Sequence, residues 1–153
     1  MAKANSFEFE DYISILEEMI SNGESVNFTP GGRSMLPSIR AGRDSVTVSP
    51  AGDIKKYDIA LYRRANGKFV LHRIVIAEKD YFVMCGDNQF QLEYPVTKEQ
   101  IIGKVSAIKR KGKLINTENP GFGYKLYIKL WDLRLVLDKG IYYLRKLKRG
   151  LHF

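Results

Sequence analysis

Apolar positions follow two rhythms along this chain. From Phe7 to Ser21 they recur every three or four residues, at Phe9, Tyr12 or Ile13, Leu16, Met19 and Ile20. That spacing lines one face of a helix. Ser6 stands where an N-cap belongs and Asn22-Gly23 where a helix stops. From Glu24 the rhythm shortens. Six β-branched or aromatic runs follow, Ser25–Thr29, Ser45–Ser49, Asp58–Arg63, Lys68–Ala77, Tyr81–Cys85 and Ile101–Arg110, separated by Gly, Pro, Asn and Asp. Such runs read as strands. Asn66-Gly67, between Leu61-Tyr62 and Phe69-Val70, predicts a hairpin, and Glu78–Asp80 a second turn. Lys111–Gly123 is polar and rich in Gly and Asn, and reads as a loop.

Helical spacing returns from Tyr124 to Arg149. Leu126, Leu130, Leu133, Leu137, Ile141, Leu144 and Leu147 form one stripe, with Lys125, Lys129, Asp132, Lys139 and Lys146 opposite. Gly140 is the expected place for a bend. The succession predicts one domain in four parts: an N-terminal helix (1–23), a β-rich core (24–111), a linker loop (112–123) and a basic amphipathic C-terminal helix (124–153). Strands in series, without alternating helices, point to a mainly β fold with a small, twisted, barrel-like core.

Composition narrows the function classes. At 153 residues, with 44% hydrophobic and 27% charged residues, the chain buries enough surface to fold without a metal or disulfide staple. One cysteine, Cys85, excludes an internal disulfide and a cysteine-rich zinc module. Two histidines, His72 and His152, exclude a histidine-rich metal site. No run approaches the ~18–20 apolar residues of a membrane-spanning helix, and Met1–Asp11 has no apolar signal-peptide core, so a cytoplasmic location is expected. The net charge is +8, and it is uneven: residues 121–153 hold eight Lys/Arg against Asp132 and Asp138, so +6 lies in the tail.

Three short segments carry residue types that suit chemistry. In Gly31-Gly32-Arg33-Ser34-Met35-Leu36-Pro37-Ser38-Ile39, glycines allow a tight turn just before Ser34 and Pro37 fixes the exit. A serine so presented, with a free backbone N–H beside it, suits nucleophilic attack with an oxyanion donor. His72 lies in Phe69–Ile76, where strand alternation sets it on a face with Val70, Ile74 and Ile76 and turns Arg73 away. An imidazole there is either a core side chain bonded to a backbone carbonyl or a general base. Cys85-Gly86-Asp87-Asn88 ends a strand in a turn whose carboxylate could orient that imidazole, and Glu93 is a second candidate for the same role.

In this order, Ser-Met-Leu-Pro-Ser-Ile, then His-Arg-Ile on a strand, then Gly-Asp-Asn, the segments resemble the type I signal peptidases. They are closer to the branch that uses a histidine base than to the bacterial serine–lysine branch. The resemblance runs from about Val26 to Val105, and Ile101–Val105 resembles the family's closing strand. It implies a signal peptidase-like serine endopeptidase with Ser34 as nucleophile, His72 as base, Asp87 or Glu93 as the orienting acid, and the Ser34 N–H in the oxyanion hole. Gly32 replaces a serine that many of these enzymes use as a second oxyanion donor.

The implied reaction needs no metal or organic cofactor. The resembled enzymes are membrane-anchored on the exported side. Without a spanning segment, this chain is expected to cut an extended leader or precursor peptide instead. The related self-cleaving SOS-type repressors cut at a small-residue pair ahead of the nucleophile. No Ala-Gly or Cys-Gly pair precedes Ser34, and one short helix cannot form their DNA-binding domain.

Two non-enzymatic readings stand beside this one. A catalytically inactive peptidase fold could hold a peptide without cutting it, and a basic adaptor could dock through its tail. The leucine stripe of the C-terminal helix either packs on the β core or, with Trp131, Tyr127, Tyr142, Tyr143 and the +6 charge, meets an anionic membrane surface. No motif that reads DNA or RNA is present, so nucleic acid is not an expected partner.

Overall fold

A computed structural model describes the backbone of residues 4–150 and the side chains of residues 12–147. The side chains of Ser6, Phe7, Phe9, Glu10, Lys148 and Arg149, and the whole of His152, lie outside the described residues. Helix α1 (Ala4–Ser21) precedes eight strands: β1 (Val26–Phe28), β2 (Ser45–Pro50), β3 (Ile59–Arg63), β4 (Phe69–Ala77), β5 (Phe82–Cys85), β6 (Glu93–Val96), β7 (Ile101–Arg110) and β8 (Lys113–Asn116). Helices α2 (Phe122–Lys129) and α3 (Trp131–Gly150) close the chain.

The strands form one antiparallel sheet in the order β1-β2-β7-β3-β4-β5-β6, with β8 also beside β7. The fold is mainly β, and the sheet is open: β1 and β6 end it without pairing to each other. Register shifts at Thr47/Val48, Leu61/Tyr62, Ile74/Ile76 and Phe82/Met84 bend it.

Alternation along the strands sorts the core. Ile13, Leu16 and Ile20 of α1 pack with Val46, Val48, Leu61, Leu71, Val105 and Ile108. Ala60, Tyr62, Ile74, Phe82, Met84 and Val96 form a second cluster. Val75, Val83 and Cys85 form a third, closed by Trp131. Ile76, beyond the bulge in β4, is 42% exposed rather than buried with Ile74.

Three features differ from the sequence reading. β6 contains Pro95, which a sheet tolerates because β6 lies at an edge. β8 occupies part of the expected linker and pairs with β7 across a tight turn, with Lys111 and Gly112 both at positive φ. The C-terminal helix breaks at Leu130 and is continuous through Gly140, and the new helix starts on the fully buried Trp131.

At Gly103, β7 lies close against β2 and α1. A Cβ there would lie 2.6 Å from the Ser49 carbonyl oxygen, 2.8 Å from Val48 Cγ1 and 3.2 Å from Ile20 Cγ2. Gly103→Ala is expected to cost about 1–3 kcal/mol by overpacking. The readout is a lower urea midpoint at unchanged m value, and an unchanged midpoint would contradict this packing.

Candidate active site

The loop between β1 and β2 carries Ser34. Gly32 adopts a positive φ of 79°, which turns the chain just ahead of it. The Asn88 N–H donates to the Ser34 carbonyl at 2.7 Å. Gly86 lies against the same residue: a Cβ on it would stand 2.7 Å from the Ser34 carbonyl oxygen and 3.1 Å from Ser34 Cβ. The Gly-Asp-Asn turn is thus the seat of the serine loop, and its glycine is required by close approach. Further along, Arg110 donates to the carbonyls of Pro37 (3.2 Å) and Ser38, which ties the exit of the loop to β7.

Ser34 and His72 line one cavity of about 280 Å3, together with Gly31, Gly32, Met35 and Arg64. Within the described residues, neither the Ser34 hydroxyl nor its N–H makes a hydrogen bond, and Ser34 is not bonded to His72. A more apolar cavity of about 340 Å3 shares Pro30, Gly31, Phe69, Val70 and Leu71 with the first and continues toward Tyr12, Ile13 and Phe28.

His72 is buried on β4, on the same face as Val70 and Ile74. It is not a core histidine bonded to a backbone carbonyl. Its Nδ1 lies 3.3 Å from Tyr62 Oη and 3.4 Å from Glu93 Oε1. Tyr62 O–H donates to Glu93 Oε2 at 2.8 Å, so its oxygen is left to accept from His72. That arrangement places the imidazole proton on Nδ1 and leaves the lone pair on Nε2, which has no hydrogen bond among the described residues. Arg64 holds Glu93 from outside, Nε donating to Oε2 at 2.8 Å and a terminal nitrogen to Oε1.

Of the two candidate acids, Glu93 faces the imidazole. Asp87 is engaged elsewhere. Arg73 Nε and a terminal nitrogen donate to its two oxygens at 2.7 Å each, and Trp131 Nε1 donates at 2.8 Å. Arg73 and Asp87 are both fully buried. Asp87, the other acid that the sequence left open for this role, makes no hydrogen bond to His72: its oxygens accept from the guanidinium and the indole, which holds the turn beneath Ser34.

Tyr62, Arg64, Arg73 and Trp131 were not among the sequence candidates. A signal for Tyr62 was present. Centring the hairpin on Asn66 pairs Tyr62 with Val70 and Ala60 with His72, the register observed, which makes Tyr62 and His72 diagonal neighbours.

Electrostatics follow the geometry. Burial pushes the His72 pKa below its ordinary value; the Glu93 charge and, less, the Asp87 charge oppose this, and the Arg64 charge adds to it. Burial alone would raise the Glu93 pKa, but hydrogen bonds from Arg64 and Tyr62 outweigh it and keep the carboxylate ionised. Burial pushes the Cys85 thiol up to about 11, so it stays protonated and is no rival nucleophile near neutral pH. Among the described residues no group of His, Cys, Asp and Glu could hold a metal ion. Comparison with known proteins adds no relative: no family model, curated protein or solved structure matches the chain.

The His72 ring is expected to titrate below the usual histidine range, neutral above its pKa and charged below it. Glu93→Gln should lower that pKa further, because it removes a negative charge and leaves that of Arg64. Proton NMR of the ring signal absent from His72→Asn reads both. A shift upward in Glu93→Gln would contradict the contact.

Proposed function

We propose that this chain is a serine endopeptidase of the signal peptidase-like kind, working through Ser34, His72 and Glu93. One observation carries the reading. Ser34 and His72 meet at one cavity, and the tautomer set by Tyr62 and Glu93 leaves Nε2 as the basic nitrogen.

His72 Nε2 takes the Ser34 hydroxyl proton as Oγ attacks the peptide carbonyl. The tetrahedral oxyanion accepts from the Ser34 N–H, and Glu93 stabilises the imidazolium that has formed. The C–N bond then breaks, the imidazolium returns its proton to the leaving amine, and water clears the acyl-enzyme by the reverse path. Asp87 takes no part in proton transfer. It positions the turn on which Ser34 rests. Loss of one oxyanion donor can cost ~10²–10³ in rate, so with Gly32 offering no hydroxyl a slow turnover is expected.

The open cavity beside Ser34 suits an extended peptide, and its apolar extension suits a small or aliphatic side chain near the cut. A leader or precursor segment is the substrate class proposed.

The test is cleavage of extended peptides bearing small residues beside the bond, followed by mass spectrometry. Ser34→Ala and His72→Ala should each lower the rate by about 10⁴-fold or more while circular dichroism stays unchanged. The wild-type rate should fall on the acid side as His72 protonates. Equal turnover by Ser34→Ala would overturn the assignment, and absence of cleavage by the wild-type chain would leave a peptide-binding module.

A further inference from the structure

The two C-terminal helices carry their apolar stripe on the outside. Phe122 is 82% exposed, Leu133 56%, Leu137 56% and Leu144 62%. Helix α3 faces the sheet with other residues: Trp131 and Leu135 pack with Val75, Val83 and Cys85, and Arg134 donates to the Gln89 carbonyl at 3.1 Å. At about 100° per residue, Leu133, Val136, Leu137, Leu144 and Leu147 fall within an arc of roughly 100° centred opposite Trp131. A surface helix ordinarily turns such a stripe inward. Here a different face is docked, and a continuous exposed apolar strip of this kind marks an interaction surface.

Charge decides the occupant. The only acids on these helices, Asp132 and Asp138, are neutralised within the protein: Lys56 and Tyr57 donate to Asp132 at 2.9 and 2.8 Å, and Arg134 lies 3.2 Å from Asp138. Lys125, Lys129, Lys139, Arg145 and Lys146 have no acidic partner among the described residues. A second copy packed on this face would bring the cations that flank it together without an acid between them. A nucleic acid would accept the cations but offer nothing to the leucines. A bilayer with anionic headgroups takes both, leucines among the acyl chains and Lys/Arg at the phosphates.

We infer that the outer face of α2 and α3 lies on an anionic lipid surface. It seats the domain on the surface rather than across it: no helix among the described residues is long and apolar enough to cross a membrane. This inference does not depend on the peptidase reading.

The experiment is co-sedimentation of the full chain with vesicles of phosphatidylcholine alone or mixed with phosphatidylglycerol. Binding to the mixed vesicles should be at least about tenfold tighter and should weaken with added salt. Leu137→Asp with Leu144→Asp should abolish it. So should Lys139→Glu with Lys146→Glu, a variant that leaves every apolar residue in place. All four positions are exposed, so both variants should keep the wild-type circular dichroism. Equal binding to both vesicle types would overturn the inference, as would full retention in the leucine variant. So would a dimer, seen by light scattering, that the leucine variant splits while no vesicle is bound; the face would then belong to a second copy.

Discussion

A guanidinium and a carboxylate, both shut away from water, hold this molecule's parts in place. Arg73 on β4 donates to both oxygens of Asp87, to the Tyr57 carbonyl at 2.7 Å and to the Ser38 hydroxyl at 3.2 Å, with the Tyr124 hydroxyl at 3.3 Å. One side chain thereby joins the segment before β3, the serine loop, the turn after β5 and α2. Taking two charges out of water is costly, and such a pair stabilises little against a well-packed apolar substitute. Losing one partner alone strands the other charge, at a cost of about 3–5 kcal/mol. The pair is therefore better read as a device that fixes geometry: through its donors, one side chain ties the four segments to a single point.

The strand pleat turns this hub into a platform for the candidate site. His72 and Arg73 are consecutive and point to opposite faces, so the residue that ties the scaffold and the residue that could act as base share one stretch of β4. On the His72 side, Tyr62, Glu93 and Arg64 form a second chain of hydrogen bonds that ends at the surface. Both chains hold neighbouring parts of one cavity, the first through the Gly86–Asn88 turn under Ser34 and the second through the imidazole.

Much of this was legible from the chain. Alternation and punctuation located six strands within a residue or two, and placed His72 opposite Arg73. What local pattern could not convey was pairing across long sequence separations. Asp87 and Glu93 both had the chemistry to orient an imidazole. The choice between them rests on Arg73 and Arg64, two arginines that the sequence presents as ordinary charged residues flanking a hairpin. β6 was hidden by its proline, harmless only because no strand lies beyond it. The break at Leu130 was hidden because leucine continues a helix well; it follows from Trp131 having to turn inward to reach Asp87. The same tertiary demand turned the leucine stripe outward, against the pattern that periodicity alone favours.

The indole of Trp131 has one more consequence. Helix α3 contributes a fully buried side chain whose N–H completes the coordination of Asp87. The C-terminal helices are therefore not an appendage that could be exchanged between proteins as a cassette. Any rearrangement of the gene that separated them from the strands would also remove a donor from beneath the serine loop. Scaffold and tail are bound to diverge together, as one heritable unit.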